Sequence, residues 1–133
     1  MCLIVNKKQC PNGYKIAKKN IPCYKVLLKR CDGAFETPFR KQIVDITTGI
    51  EADKFQTKPM HSIIMSDLLI WRGIHSHTNL ASAHKTQNTY FIGLNIYIHV
   101  GVVVLKAYIP KGTKYWVGKD HDFCSERIVF AEK

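Results

Sequence analysis

The alternation of apolar and polar positions predicts two long strands in this chain. The clearer one is Ile96–Ile109, which is dense in β-branched residues and is expected to bulge or bend at Gly101. The other is Ile21–Arg30, where alternate positions place Tyr24 on one face and Lys25 on the opposite face. The richness of Ile96–Ile109 in β-branched residues predicts a central position in a sheet for that strand.

Shorter elements are predicted around these two strands. Extended segments are expected at Phe35–Phe39 (an edge or loop because of Pro38), Gln42–Thr47, Gly73–His77, Lys114–Val117 and Phe123–Phe130. Asn79 is the N-cap candidate of a helix over Asn79–Lys85. The stretch His61–Trp71 fits either a helix or a strand, turn and strand, and Gly49–Pro59 is expected to be an exposed excursion.

These elements predict a single small α+β domain, built on a mainly antiparallel, bent β-sheet with one or two helices. A chain of 133 residues has room for one core of ordinary size, and 46% hydrophobic residues are enough to pack it. The turn signal Pro11–Gly13 and the lysines around it predict a basic, irregular N-terminal arm over residues 1–20. The folded domain is then expected over residues 21–133.

Positive charge is concentrated at the N-terminal end. The net charge of the chain is +10, and residues 1–41 hold ten Lys or Arg against Asp32 and Glu36, which places +8 there and leaves +2 for the remainder. Such a block attracts nucleic acid, nucleotides or other anions through its long-range field, or serves solubility. The sequence therefore predicts a negatively charged partner or a strongly solvated surface.

The chain is expected to stay in the cytosol and to have no membrane partner. Its longest apolar run, Val100–Leu105, is far short of the ~20 residues of a spanning helix, and its first apolar residues precede the lysines, unlike a secretory signal. Five cysteines, an odd number without a CxxC pair, predict free thiols and no structural zinc site.

Histidines form the first candidate binding cluster. His75 and His77 share a face if Gly73–His77 is a strand, and such a pair suits a phosphate group or a metal ion. The further histidines, His61, His84, His99 and His121, show no diagnostic ligand spacing, so no metal is predicted. The alternative is that these imidazoles are hydrogen-bonded structural or surface groups.

Basic and aromatic residues supply the other candidates. Lys25 and Arg40 are positioned to pair with phosphate, with a solvated face as the alternative. Tyr115 and Trp116, next to Lys114, form an aromatic and basic edge suited to stacking on a base or an adenine ring. Trp116 alternatively closes the core.

Four segments carry a resemblance to known proteins. KIAKKNIPCYKVL, RGIHSH, AYIPKGTKYWVG and CSERIVF resemble small uncharacterised proteins of gut bacteria and their phages. This resemblance spans most of the chain. It implies a cytosolic setting in a bacterium or a phage-infected bacterium.

The same segments are distantly similar to the ADP-ribosyltransferase-like fold. The resemblance matches Arg72–His75 to the strand that grips the nicotinamide side, and IPKGTKYWVG with SERIVF to the loop and final strand that carry Glu-x-Glu. Glu126 then matches the first glutamate, and Ile128 replaces the second, catalytic one. Since isoleucine cannot stabilise an oxocarbenium-like state, the resemblance implies a binding protein, unless a shifted register makes Glu126 catalytic.

Three functions follow as hypotheses. The leading one is binding or sequestration of a nucleotide-type anion, an ADP-ribose derivative or a cyclic nucleotide, near His75, His77 and Tyr115, with no cofactor and with a phage anti-defence role as its expected setting. The second is an active NAD-dependent ADP-ribosyltransferase that uses Glu126. The third is a nucleic-acid-binding module driven by the N-terminal lysines.

Overall fold

The computed structural model describes residues 3–5, 14–38, 42–51, 61–64, 67–70, 73–118 and 122–130. Its strands are β1 (Leu3–Val5), β2 (Lys15–Ile16), β3 (Ile21–Arg30), β4 (Phe35–Glu36), β5 (Ile43–Val44), β6 (Ile50–Glu51), β7 (His61–Ile64), β8 (Asp67–Ile70), β9 (Ile74–His77), β10 (His99–Ile109), β11 (Lys114–Val117), β12 (Asp122–Ser125) and β13 (Arg127–Phe130). One α-helix, α1 (Leu80–Ile92), lies between β9 and β10.

The strands form one large antiparallel sheet and a small one. The large sheet has the order β2, β11, β12, β9, β3, β10, β13, β6, and β4 joins β3 to β5. The small sheet has the order β1, β8, β7. The prediction of a small α+β domain with a mainly antiparallel sheet is confirmed, with one helix in the described ranges. Within those ranges, no helix has the length and apolar character that a membrane crossing requires.

The two long strands lie side by side at the centre of the large sheet, as the alternation predicts. β3 has the predicted bounds, and β10 carries the predicted irregularity between His99 and Gly101. β10 starts three residues later than predicted, because Ile96 and Tyr97 lie in a turn and are 78% and 87% exposed. The Asn95 carbonyl closes this turn by accepting from the His99 amide at 2.8 Å.

The large sheet buries apolar residues on both faces. On the face that α1 covers, the buried cluster consists of Val26, Leu28, Ala83 and Val102. On the opposite face, the buried cluster includes Cys23, Leu27, Ile50, Ile74, Ile109, Phe123, Ile128 and Phe130. β3 therefore contributes alternate side chains to both cores, as its period of two requires.

The helix begins where the sequence predicts and extends further. The Asn79 side chain accepts a hydrogen bond from the Ser82 amide at 2.8 Å, which is the N-cap interaction. The helix continues to Ile92, seven residues beyond the predicted Lys85, because Tyr90 packs against the cluster under the helix. Propensity alone identified the start, and tertiary packing set the length.

Between residues 49 and 71, one sequence prediction is partly wrong, and the structure decides between the two alternatives of another. Ile50 is fully buried in β6, which pairs with β13, so the predicted exposed excursion of Gly49–Pro59 is wrong for its first residues. Gly49 has φ +84 and a Cβ there would collide with the Ile128 carbonyl, so this approach requires glycine. Residues 52–60 lie outside the described ranges. Within His61–Trp71, which fitted either a helix or a strand, turn and strand, the described residues form the paired antiparallel strands β7 and β8.

Both ends of the chain also differ from the predictions. The stretch predicted as an irregular arm, residues 1–20, contains β1 and β2, and Ala17 is buried at 2% exposure. The single final strand predicted over Phe123–Phe130 is two strands, separated by a bend at Glu126. Two-residue strands such as β2 carry too little periodicity to be seen in the sequence.

Candidate functional site

The first candidate residue, Lys25, lies at an interruption in the pairing of β3. β10 occupies one edge of β3 along its whole length. On the other edge, β9 pairs at Tyr24 with His77, and β4 pairs at Leu28 with Glu36. Lys25 follows the β9 pair directly. Lys25 thus lies in the gap on this edge of β3, after the pairing with β9 ends and before the pairing with β4 begins.

The Lys25 amine is buried and makes one direct polar contact within the described residues. Nζ donates to the carbonyl oxygen of His75 at 2.6 Å, and the residue is 9% exposed. Burial lowers the pKa of Lys25 from 10.5 to about 8. In the part of the chain that the structure describes, no carboxylate forms an ion pair with this amine. At neutral pH Lys25 is a buried cation without a counterion there.

Two buried thiols, Cys23 on β3 and Cys124 on β12, interact electrostatically with the Lys25 amine. Burial raises the pKa of Cys23 to about 11 and that of Cys124 to about 12, and the charge of Lys25 opposes both shifts. Both thiols are therefore neutral at physiological pH and leave the charge of Lys25 uncompensated.

His75, whose backbone carbonyl accepts from Lys25, has one ring nitrogen without a partner among the described residues. Nδ1 lies 3.3 Å from the Gly73 carbonyl, and Nε2 is buried without a hydrogen-bond partner among the described residues. Burial, with a contribution from Lys25, lowers the pKa of His75 to about 4, so the ring is neutral at pH 7. When Nδ1–H donates to Gly73, Nε2 is a bare acceptor.

His77 has a different role, although it shares a face with His75 as β9 requires. Its Nδ1 lies 2.9 Å from Asp122 Oδ1 and 3.0 Å from Ser82 Oγ, and the residue is 6% exposed. These contacts tie β9 to β12 and to the first turn of α1. His77 thus fits the structural alternative more closely than the ligand role. Across the described ranges, no three His, Cys, Asp or Glu side chains are arranged to hold a metal ion.

The predicted aromatic pair is divided between the two faces of the sheet. Tyr115 packs edge-to-face on Phe123 with ring centroids 5.8 Å apart. Trp116 is 5% exposed and contacts the edge of Tyr14, as expected if it closes the core. The row of paired residues Trp116, Cys124 and His75 crosses three strands, so Trp116 and His75 share a face and Tyr115 lies on the other.

The remaining predicted residues do not join Lys25 and His75 in the described structure. Arg40 and Arg72 lie outside the described residues. Glu126 is exposed at the bend after β12, with its amide donating to the Lys114 carbonyl at 3.1 Å. Ile128, which the sequence resemblance aligns with the second glutamate, is fully buried in the core. The Ile128 side chain therefore packs in the core at this point of the sheet.

The sequence did not indicate the partly buried polar cluster at the C-terminal end of β3. Glu36 contacts His99 Nε2, and its other oxygen lies 3.4 Å from Arg30 Nη1. These three residues are spread over 70 positions without a motif, so no local spacing predicts them. Asp122 and Ser82, the partners of His77, were missed for the same reason.

Comparison of the chain with protein-family models, with curated proteins and with solved structures gives no match. The function is therefore inferred from the geometry of Lys25 and His75.

Proposed function

We propose that this protein binds a nucleotide-type anionic small molecule, an ADP-ribose derivative or a cyclic nucleotide, at Lys25 and His75. The supporting observation is the buried Lys25 ammonium, which has no carboxylate partner in the described structure and donates to the backbone carbonyl of His75, a residue whose ring nitrogen Nε2 also lacks a partner there. The scaffold in this proposal is ADP-ribosyltransferase-like, as the sequence resemblance implies.

A phosphate group fits the electrostatics of Lys25. A buried charge is costly unless it is paired, and an anion that enters beside Nζ supplies the missing counterion. The proposed ligand returns the pKa of Lys25 toward its ordinary value, because an opposite charge favours the protonated amine.

A ligand hydroxyl fits the chemistry of His75. A neutral ring with Nδ1–H bonded to Gly73 presents Nε2 as an acceptor, and a ribose hydroxyl is a donor. Nucleotides carry both phosphate and hydroxyl groups, so in this proposal one molecule supplies a partner for each residue. Inorganic phosphate satisfies only Lys25.

In this proposal the protein binds the nucleotide and does not transfer any group from it. Glu126 is exposed at a bend, and Ile128 offers no carboxylate. In a phage-infected bacterium, the setting that the resemblance implies, such a protein would sequester a nucleotide signal of host immunity.

Isothermal titration at pH 7 with ADP-ribose, NAD, cyclic mononucleotides, cyclic dinucleotides and inorganic phosphate tests the proposal. We expect heat with one nucleotide, a loss of at least about 10-fold in affinity for Lys25→Met, and a smaller loss for His75→Phe. Lys29→Met is the matched control, because Lys29 lies on the same strand and face but is exposed. Absence of heat with every ligand refutes the proposal, and turnover of NAD by the wild type would favour the enzyme alternative.

A further inference from the structure

Two segments that are distant in sequence form one edge of the large sheet. β2 pairs with β11, and the Ala17 amide donates to the Thr113 carbonyl at 2.9 Å. The Gly112 amide donates to the Ala17 carbonyl at 2.8 Å, and the Lys111 amide donates to the Asn20 side chain at 3.0 Å. Residues 14–20 are therefore fixed against residues 111–115.

This pairing collects positive charge from both segments. Together they contain five lysines and no acidic residue, and we call these lysines with Tyr14 the basic edge: Tyr14, Lys15, Lys18, Lys19, Lys111 and Lys114. Lys18, Lys19 and Lys111 are exposed. The acidic residue Glu126 contacts this edge through its backbone amide, which donates to the Lys114 carbonyl at 3.1 Å.

An aromatic ring lies among these lysines. Tyr14 is 41% exposed, and Lys114 Nζ lies 4.3 Å from the centre of its ring. Trp116 contacts Tyr14 with ring centroids 6.4 Å apart and holds the ring in place. Clustered ammonium groups bind backbone phosphates, and an exposed aromatic ring offers a contact for an unstacked base.

From this combination we infer that the basic edge is a binding surface for single-stranded nucleic acid. The clustered positive charge favours a polyanion as the ligand. The exposed Tyr14 ring favours a strand with unpaired bases, because only unpaired bases can stack on it. The surface is separate from Lys25, because β11, β12 and β9 lie between β2 and β3 in the sheet. Binding of a strand at the basic edge is therefore independent of small-molecule binding at Lys25 and His75.

Fluorescence anisotropy with labelled single-stranded RNA and DNA of about 20 nucleotides, titrated over a series of salt concentrations, tests the inference. We expect Lys18→Ala/Lys19→Ala/Lys111→Ala to weaken binding by at least about 10-fold at low salt. The slope of log affinity against log salt should fall in magnitude by about 2, since each lost phosphate contact removes about 0.7 for single strands. Tyr14→Ala should weaken binding with an unchanged slope.

The matched control removes three exposed lysines elsewhere, Lys29, Lys85 and Lys106. It has the same net charge as the first triple variant and should retain the wild-type slope to within about half a unit. Equal losses in both triple variants, tighter binding to duplex than to single strands, or no binding would each overturn the inference. Thermal melting confirms that the variants are folded, and Lys25→Met should bind the oligonucleotides as the wild type does.

Discussion

Replacement of Lys25 by methionine is expected to stabilise the folded protein at neutral pH. Methionine keeps nearly the same length and volume but removes the charge. The folded state of the wild type holds a buried ammonium whose pKa is lowered from 10.5 to about 8. A group that is harder to protonate in the folded state than in the unfolded state destabilises the fold while it remains charged.

The magnitude follows from that difference in pKa. A decrease from 10.5 to about 8 corresponds to roughly 3 kcal/mol of penalty on the charged form, at 1.36 kcal/mol per pH unit. Loss of the hydrogen bond to the His75 carbonyl offsets about 1 kcal/mol of this gain. We therefore expect Lys25→Met to raise the free energy of unfolding by about 2 kcal/mol at pH 7.

The pH dependence has a definite sign. Below pH 8 both states of the wild type are protonated and the full penalty is present. Between pH 8 and 10.5 the folded state loses its proton first, so the advantage of the variant shrinks. The titration of Cys23 and Cys124 opposes this trend, because their raised pKa values destabilise the fold at alkaline pH. Comparing the two proteins at each pH cancels the part of that titration which does not depend on the charge of Lys25.

Urea unfolding of the wild type, Lys25→Met and the exposed control Lys29→Met at half-unit steps from pH 6 to 9.5 measures this effect. The control should stay within about 0.5 kcal/mol of the wild type throughout. A Lys25→Met variant that is less stable than the wild type at pH 7, or a stability difference that stays constant above pH 8, would refute this expectation. A stabilised variant that no longer binds nucleotides would show that Lys25 is retained for binding at a cost in stability.

Two further predictions concern His75 and Ile128. Because burial and Lys25 lower the pKa of His75 to about 4, its ring signals in an NMR titration should stay constant from pH 7 to about 5, and a midpoint near 6.5 would contradict the described burial. Ile128→Glu creates the sequence Glu-x-Glu with Glu126 but places a carboxylate in the fully buried core, so it should lower the free energy of unfolding by several kcal/mol and give no NAD turnover. Ile128→Val should cost about 1 kcal/mol in thermal or urea unfolding. Activity in a well-folded Ile128→Glu variant would contradict the packing role.

The sequence by itself determined those elements whose signals are local. β3 was predicted with its bounds because ten residues of alternation define a strand, and Asn79 identified the start of α1 because an N-cap depends on three neighbouring positions. Gly101 marked the irregularity in β10 because a glycine within a β-branched run favours a bulge. Lys25 and His75 were both recognised as candidates, although nothing in the sequence related them.

The tertiary structure alone decided which of these residues meet. Lys25 and His75 are 50 positions apart, and their contact depends on how β9 and β4 divide one edge of β3. β2 and β6 are two residues long, so their positions depend on pairing with β11 and β13, far along the chain. The basic edge and the burial of Ile50 depend on the same pairings. Periodicity and capping act over a few residues, whereas sheet pairing joins distant segments whose register no short pattern encodes.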